Sequence, residues 1–177
     1  MEAILFIVRT LLQVLLVTVF LLRVLLPLTR ADSRNQLSQA VIRLTNPLVL
    51  PLRRVLPPIG KVDTASVVAL VIVQAAATAV LWLLGAYPRN IGLPLFLQIV
   101  VLSLVSTVLL FYTYALLLYI LLSWVAPGTY SPAAGLLSSL CEPLLRPVRR
   151  VIPALAGIDF SALFVIIALQ ALYIAIN

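Results

Sequence analysis

The sequence predicts an all-α integral membrane protein: four transmembrane helices set as two parallel two-helix repeats, each with an amphipathic, proline-rich cytoplasmic segment at the interface. Three observations carry this. The composition is too apolar for water, four apolar runs have spanning length, and a proline-arginine motif recurs 96 residues on, Pro47 against Pro143.

Apolar residues fill 64% of 177 positions and charged residues 10%, where a soluble domain carries about 25% charge. Roughly twenty apolar residues cross a ~30 Å hydrocarbon core. The runs are 3–28, 64–84, 93–125 and 160–176, giving a first repeat over 1–84, a short outer loop over 85–92 and a second repeat over 93–177. The first run lacks a compact basic stretch before it and a small-x-small pattern after it, so it reads as a retained anchor and not a cleaved signal. The third, at 33 residues, would be about 50 Å long as one helix, so it must tilt or project.

Composition also narrows the chemistry. There is no histidine and one cysteine, Cys141, and the carboxylates are Glu2, Asp32, Asp63, Glu142 and Asp159. Without the commonest metal ligand and general base, no catalytic residue, metal or cofactor is expected, and the chain reads as non-enzymatic.

Arg30, Arg34, Arg43, Arg53, Arg54 and Lys61 lie between the first two runs, and Arg146, Arg149 and Arg150 between the last two. The middle loop holds only Arg89. Cytoplasmic loops carry the Lys/Arg excess, so the two basic loops should face the cytoplasm and the termini and 85–92 the outside. A net charge of +7 raises nucleic acid as a partner, but that needs a basic surface away from lipid. Here the arginines are interleaved with Leu, Val and Pro beside the spans, and anionic headgroups are the expected partner.

The repeat is gapless over its second half. Pro47, Pro51, Arg53, Arg54 and Pro57 lie over Pro143, Pro147, Arg149, Arg150 and Pro153, and the register continues to Asp63 over Asp159 and Gln74 over Gln170. Upstream, Leu37, Ala40, Val41, Leu44 and Leu48 lie over Ala133, Leu136, Leu137, Leu140 and Leu144. Further back, Leu21, Leu22 and Pro27 match Leu121, Leu122 and Pro127 at an offset of 100, so the first copy holds four extra residues after its first span. Each copy contains two spans, so both enter the membrane in the same sense.

Leu37, Ala40, Val41, Leu44 and Leu48 share one helical face, with Arg34, Gln36, Ser38, Gln39 and Arg43 opposite. Such a helix lies in the headgroup plane or docks on the bundle. The prolines that follow should break it, since each lacks a donor and clashes with the turn before. The segment is expected to be kinked and partly unwound, with one helical turn at most, either folded over the helix ends or shallowly re-entrant. Arg53, Arg54, Arg149 and Arg150 then anchor at the surface, bind an anionic ligand or pair with a carboxylate. Asp63 and Asp159 are placed to cap the helices they precede, or to bridge to an arginine pair.

Gln74 and Gln170 fall near mid-membrane, where an unpartnered amide is costly. Equivalent positions would let them face each other across the pseudo-two-fold axis, bonding helices or lining a solute path. Arg9 and Arg23 are fourteen residues apart and so nearly share a face, with Gln13 one turn from Arg9. Arg23 should snorkel to the inner interface, and Arg9 and Gln13 form a candidate intramembrane polar face. The matching Leu109, Thr113 and Ser123 are uncharged. Trp82, Tyr87 and Trp124 read as interface anchors, and Tyr112, Tyr114 and Tyr119 as mid-span tyrosines.

The doubled Pro-Leu-x2-Pro-x-Arg-Arg-x2-Pro motif with its following Asp and Gln resembles the YggT family of bacterial inner-membrane proteins, related to the YlmG proteins of chloroplasts and cyanobacteria. The resemblance implies an inner-membrane location and a non-enzymatic role in envelope or osmotic homeostasis, division, or assembly of a membrane complex. Two functions are weighed. One is a scaffold or assembly factor whose basic Pro/Arg loops grip a membrane-protein partner, a second copy or anionic lipid. The alternative is an oligomeric ion or osmolyte transport element lined by Gln74, Gln170 and Arg9.

Overall fold

The computed structural model describes residues 2–60, 62–125, 131–151 and 160–176, and Pro153 and Asp159 lie outside them. The described residues form α1 (Glu2–Thr10), a π-helical segment (Leu11–Val17), α2 (Thr18–Leu28), α3 (Gln36–Val55), α4 (Thr64–Leu83), α5 (Leu93–Val125), α6 (Pro132–Val151) and α7 (Phe160–Ile176). Three stretches are long and apolar enough to cross a bilayer: Ala3–Leu28, Thr64–Leu83 and Leu93–Ser123. Ser161–Ile176 is equally apolar but shorter. Large apolar side chains point outward along them, Phe6 at 71% and Ile174 at 74% exposed. Exposure on that scale suits lipid and not water.

The π-helical segment undoes one expectation. A π-helix turns through a smaller angle per residue than an α-helix, so α1 and α2 are out of phase across it. Arg9 and Arg23 therefore do not share a face: Arg9 is exposed, whereas Arg23 is only 6% exposed, within the protein. Nor does Arg23 snorkel outward.

Leu28 ends α2 in a Schellman-type turn. Ala31 N–H bonds Leu26 O at 3.0 Å and Arg30 N–H bonds Pro27 O at 3.4 Å. The left-handed position this turn demands is held by Arg30, at φ 54.

The proline-rich segments are helical, contrary to the expectation of an unwound stretch. Helix α3 runs unbroken through Pro47 and Pro51, and α6 through Pro143 and Pro147. Four-residue spacing explains this, because the lost donors fall on one helix face. Arg43, Pro47, Pro51 and Val55 are all exposed, so the carbonyls of Arg43 and Pro47, deprived of i+4 partners, point where water or headgroups reach them. The third proline does terminate α3. Leu56, forced out of the α region before Pro57, has φ −114 and ψ 98.

The face of α3 that packs inward also differs from the one expected. Ser38, Val41, Thr45 and Val49 are buried, while Leu37 is 43% and Leu44 67% exposed. The apolar stripe is wider than the bundle needs, and its leucine edge is left outside. In α6 the equivalent stripe is used more fully, with Leu136, Leu140, Cys141 and Leu145 buried.

Helix α5 is the common wall. One cluster packs Val17, Phe20 and Leu21 against Val49 and the small residues Ala65, Ala69 and Ala77 of α4. A second packs Leu116, Cys141 and Leu145 against Ala162 and Leu169 of α7. A third joins the repeats through Leu26, Val41, Leu136 and Leu140, and Phe111 of α5 touches all three. Asn35 ties the amphipathic helices together. Its Oδ1 accepts from Leu37 N–H at 2.9 Å, capping α3, and its Nδ2 donates to Pro132 O at 2.6 Å.

Candidate functional site at the arginine-bearing helix ends

Past Pro57 the chain turns tightly through Gly60 at φ 62, closed by paired bonds between Ile59 and Val62 at 3.1 Å. The hydroxyl of Thr64 donates back to Pro57 O at 2.7 Å. This return sets the residue before α4 beside the last turn of α3. Arg53 Nε donates to Asp63 Oδ1 at 3.3 Å and Arg53 Nη2 to Oδ2 at 2.5 Å, while Ser66 Oγ donates to Oδ2 at 2.6 Å. The Asp63 side chain is 10% exposed and that of Arg53 45%.

Asp63 stands at the N-cap position but makes no side-chain bond to a backbone N–H, a correction to the capping role. Arg53 and Ser66 already occupy both of its oxygens. Burial pushes the Asp63 carboxyl up, but the hydrogen bonds from Arg53 and Ser66, with the charges of Arg53 and Arg23, outweigh burial and hold it below its ordinary value. The bond to Asp63 in turn holds the Arg53 guanidinium above its own.

In the second repeat Arg149 has different neighbours among its partners. Its Nη1 donates to Glu142 Oε2 at 2.9 Å and its Nη2 to Tyr119 Oη of α5 at 3.4 Å. Glu142 lies two turns back on the same helix, so the bridge runs along α6. Arg54, Arg146 and Arg150 are exposed and carry no ion pair among the described residues. Their place in or near the last turns of α3 and α6 suits the negative end of the helix dipole.

The intramembrane polar residues do not converge. Gln74 is fully buried and, among the described residues, donates only to Thr78 Oγ1 of its own helix, at 3.3 Å, and its Oε1 has no partner. Gln170 donates instead to Thr113 Oγ1 of α5 at 3.2 Å. The two glutamines thus bond within their own halves and not to each other. Arg9 Nε donates to Gln13 Oε1 at 3.4 Å, and Arg9 lines a cavity of about 290 Å³ with Leu81, Gly85 and Ala86, at the other end of the helices from Arg53.

Among the described residues no group of His, Cys, Asp and Glu could hold a metal ion. Sequence reasoning missed Ser66, Asn35 and the burial of Ser38. Ser66 lies three residues after Asp63, where a hydroxyl in the first helical turn reaches an N-cap side chain, and that spacing was the available signal.

Comparison with known proteins places the sequence. The family model described as CCB3/YggT matches residues 1–84 and 98–177. An uncharacterized protein of Pseudomonas aeruginosa is 39% identical over 155 residues, covering 86% of this chain and 77% of its own length. The uncharacterized protein YggT of Escherichia coli K12 is 34% identical over 172 residues, covering 97% of this chain and 88% of that one. A protein encoded in the proC 3′ region of Vibrio alginolyticus is 36% identical over 172 residues, at 96% and 91%. No solved structure matches. With nearly the whole chain matched by family model and relatives alike, this protein belongs to the CCB3/YggT family.

Proposed function

We propose that this chain is a non-enzymatic scaffold or assembly factor of the bacterial inner membrane. It spans four times, with α7, at 17 residues, at the short end of spanning length. Helices α3 and α6 lie at the cytoplasmic headgroup plane, following the bias of arginine toward the cytoplasm. There they engage anionic lipid and membrane-protein partners in support of envelope and osmotic homeostasis.

One observation carries this reading. On α3 the exposed Leu37, Leu44 and Val55 share one edge, and exposed Arg54 stands beside Val55 in the last turn, with Arg146 and Arg150 likewise exposed on α6. Leucine edge toward acyl chains and arginine toward headgroups is the arrangement of an interfacial helix. Each basic residue near an anionic surface contributes about 1 kcal/mol.

Combined substitution of Arg54, Arg146 and Arg150 by alanine is expected to abolish crosslinks to specific partners in native membranes and to leave the fold intact. Cysteines placed at Arg54 and Arg150 should label from the cytoplasmic side, and one at Arg89 from outside. Ion or osmolyte flux through liposomes holding the purified protein, stopped by Gln74→Leu and Gln170→Leu, would replace this reading with the transport one.

A further inference from the structure

A second feature at the same end of the molecule belongs to the first repeat. A cavity of about 340 Å³ lies between α2 and α3, with Arg23, Ser33, Ser38, Arg53 and Asp63 among its walls and Leu26 on its apolar side. One of these groups is buried without a partner: the hydroxyl of Ser38, 0% exposed, has none among the described residues. Arg23, 6% exposed, faces the same cavity and is in no salt bridge among the described residues. Ser38 lies in the first turn of α3, where no helical carbonyl stands four residues behind it. Thr45, two turns further along the same face, does use that option, donating to Val41 O at 2.7 Å.

A guanidinium stays charged at any working pH, and a buried charge without a counter-charge is strongly unfavourable. Asp63 is the nearby anion, but it is bonded directly to Arg53 and so is shared between two guanidinium groups. Arg23, Arg53 and Asp63 together leave one positive charge facing the cavity. What fits there is an anion with several acceptor oxygens. A guanidinium fork matches phosphate geometry, and a serine hydroxyl adds one further donor. The volume is at the small end for ligand pockets and suits a phosphate group with its nearest substituents.

We propose that this cavity binds a phosphate group, held by the Arg23 guanidinium and the Ser38 hydroxyl, with Arg53 at its mouth. The phosphate comes either from a phospholipid headgroup, given the cavity's place at the end of an apolar span, or from free phosphate. The second repeat has Ser123 and Ala134 where the first has Arg23 and Ser38, so the expected stoichiometry is one per chain. Arg54, Arg146 and Arg150 do not line the cavity, which separates this proposal from the surface role given to them.

The test uses full-length protein, delipidated in a phosphate-free detergent, titrated with inorganic phosphate and separately with short-chain phosphatidylglycerol by calorimetry. Saturable binding of one equivalent is expected. Arg23→Gln and Ser38→Ala should each weaken it about tenfold, as befits one charge-assisted or buried hydrogen bond. The Arg54, Arg146 and Arg150 triple variant should bind within about twofold of the native chain. Binding of phosphatidylglycerol alone assigns the headgroup, and binding of phosphate with or without the lipid assigns the free anion. Should Arg23→Gln fail to fold, Arg23→Lys keeps the charge, loses the fork and should still weaken binding. Absence of saturable binding by either probe, or binding indifferent to both Arg23 and Ser38, overturns the proposal.

Discussion

Helices α3 and α6 start at Gln36 and Pro132 and end at Val55 and Val151, so both pairs of ends lie 96 residues apart. They carry their arginine pairs at equivalent positions, and the first arginine of the second pair has two partners, Glu142 and Tyr119, with no counterpart in the first copy. Arg53 reaches forward in sequence to Asp63 at the foot of α4 and sits beside a cavity that also exposes Arg23. Arg149 reaches back along its own helix to Glu142 and across to Tyr119. The position matching Glu142 in the first copy is Asn46, and that matching Tyr119 is Val19. Duplication preserved helix, prolines and arginines, while the second copy carries a carboxylate and a tyrosine that bond its first arginine where the first copy has Asn46 and Val19.

The largest expected effect tests whether those two bridges differ in kind. Arg53→Ala leaves Asp63, whose side chain is 10% exposed, without its cation and should cost about 2 kcal/mol, the scale of hydrogen bonds to a charged group. Glu142 is 47% exposed, and Glu142→Ala should cost under about 1 kcal/mol. Equal losses in thermal unfolding would erase the distinction. Acid sharpens it. Because Asp63 is held below its ordinary value of 3.8, the stabilisation from its ionised form is complete above that pH and disappears as pH falls through the lower folded value. The stability gap between the native chain and Asp63→Asn should therefore stay constant down to about pH 4 and close below it.

Next in size is the turn that ends α2. Arg30 holds a left-handed conformation at φ 54, which costs a residue with a side chain about 1 kcal/mol relative to glycine. Arg30→Gly is expected to raise stability by about that amount. Denaturation that is unchanged, or easier, in the variant would mean that the guanidinium contributes more than the strain removes.

Much of this was legible in the sequence, and the failures have identifiable causes. The helices follow from apolar length, and the coincidence of α3 with α6 follows from the motif register. Proline chemistry alone misjudged Pro47 and Pro51, because what matters is which carbonyls lose partners and whether water reaches them. Periodicity placed Ser38 on the outer face because it measures polarity and not packing. The phase of Arg23 was hidden by a π-helical segment, for which Leu11–Val17 carries no compositional mark. Asp63 with Arg53 was within reach, since both belong to the repeated set, whereas the Asn35 bond to Pro132 joins two loops and leaves no local pattern.

The glutamines offer a smaller contrast of the same type. Gln170 donates across to Thr113 of α5, and the first-copy position matching Thr113 is Gln13, which is engaged by Arg9. Gln74 is left with a partner on its own helix and an orphan oxygen. Gln170→Leu should therefore cost about 0.6 kcal/mol, an average interhelical hydrogen bond in a membrane. Gln74→Leu should be neutral or stabilising, since it removes a buried acceptor that has no donor. A larger loss at Gln74 than at Gln170 would show that the orphan oxygen is satisfied by something held between the helices.

The smallest effect concerns the paired positions Thr45 and Cys141, both fully buried on the inward faces of α3 and α6. Thr45 donates to Val41 O at 2.7 Å, and a threonine at 141 would find the carbonyl of Leu137 four residues behind it in the same way. Cys141→Thr is thus expected to change stability by no more than about 0.5 kcal/mol, which would make the two helix cores interchangeable even though their ends are not. The native thiol gives an independent check on that packing. Burial pushes Cys141 up to about 12, so almost no thiolate exists at pH 8 and maleimide should label it only once the protein is unfolded. Ready labelling of the folded chain would mean that α6 lifts from α5 and α7, and the two repeats would then differ in dynamics as well as in the partners of their arginines.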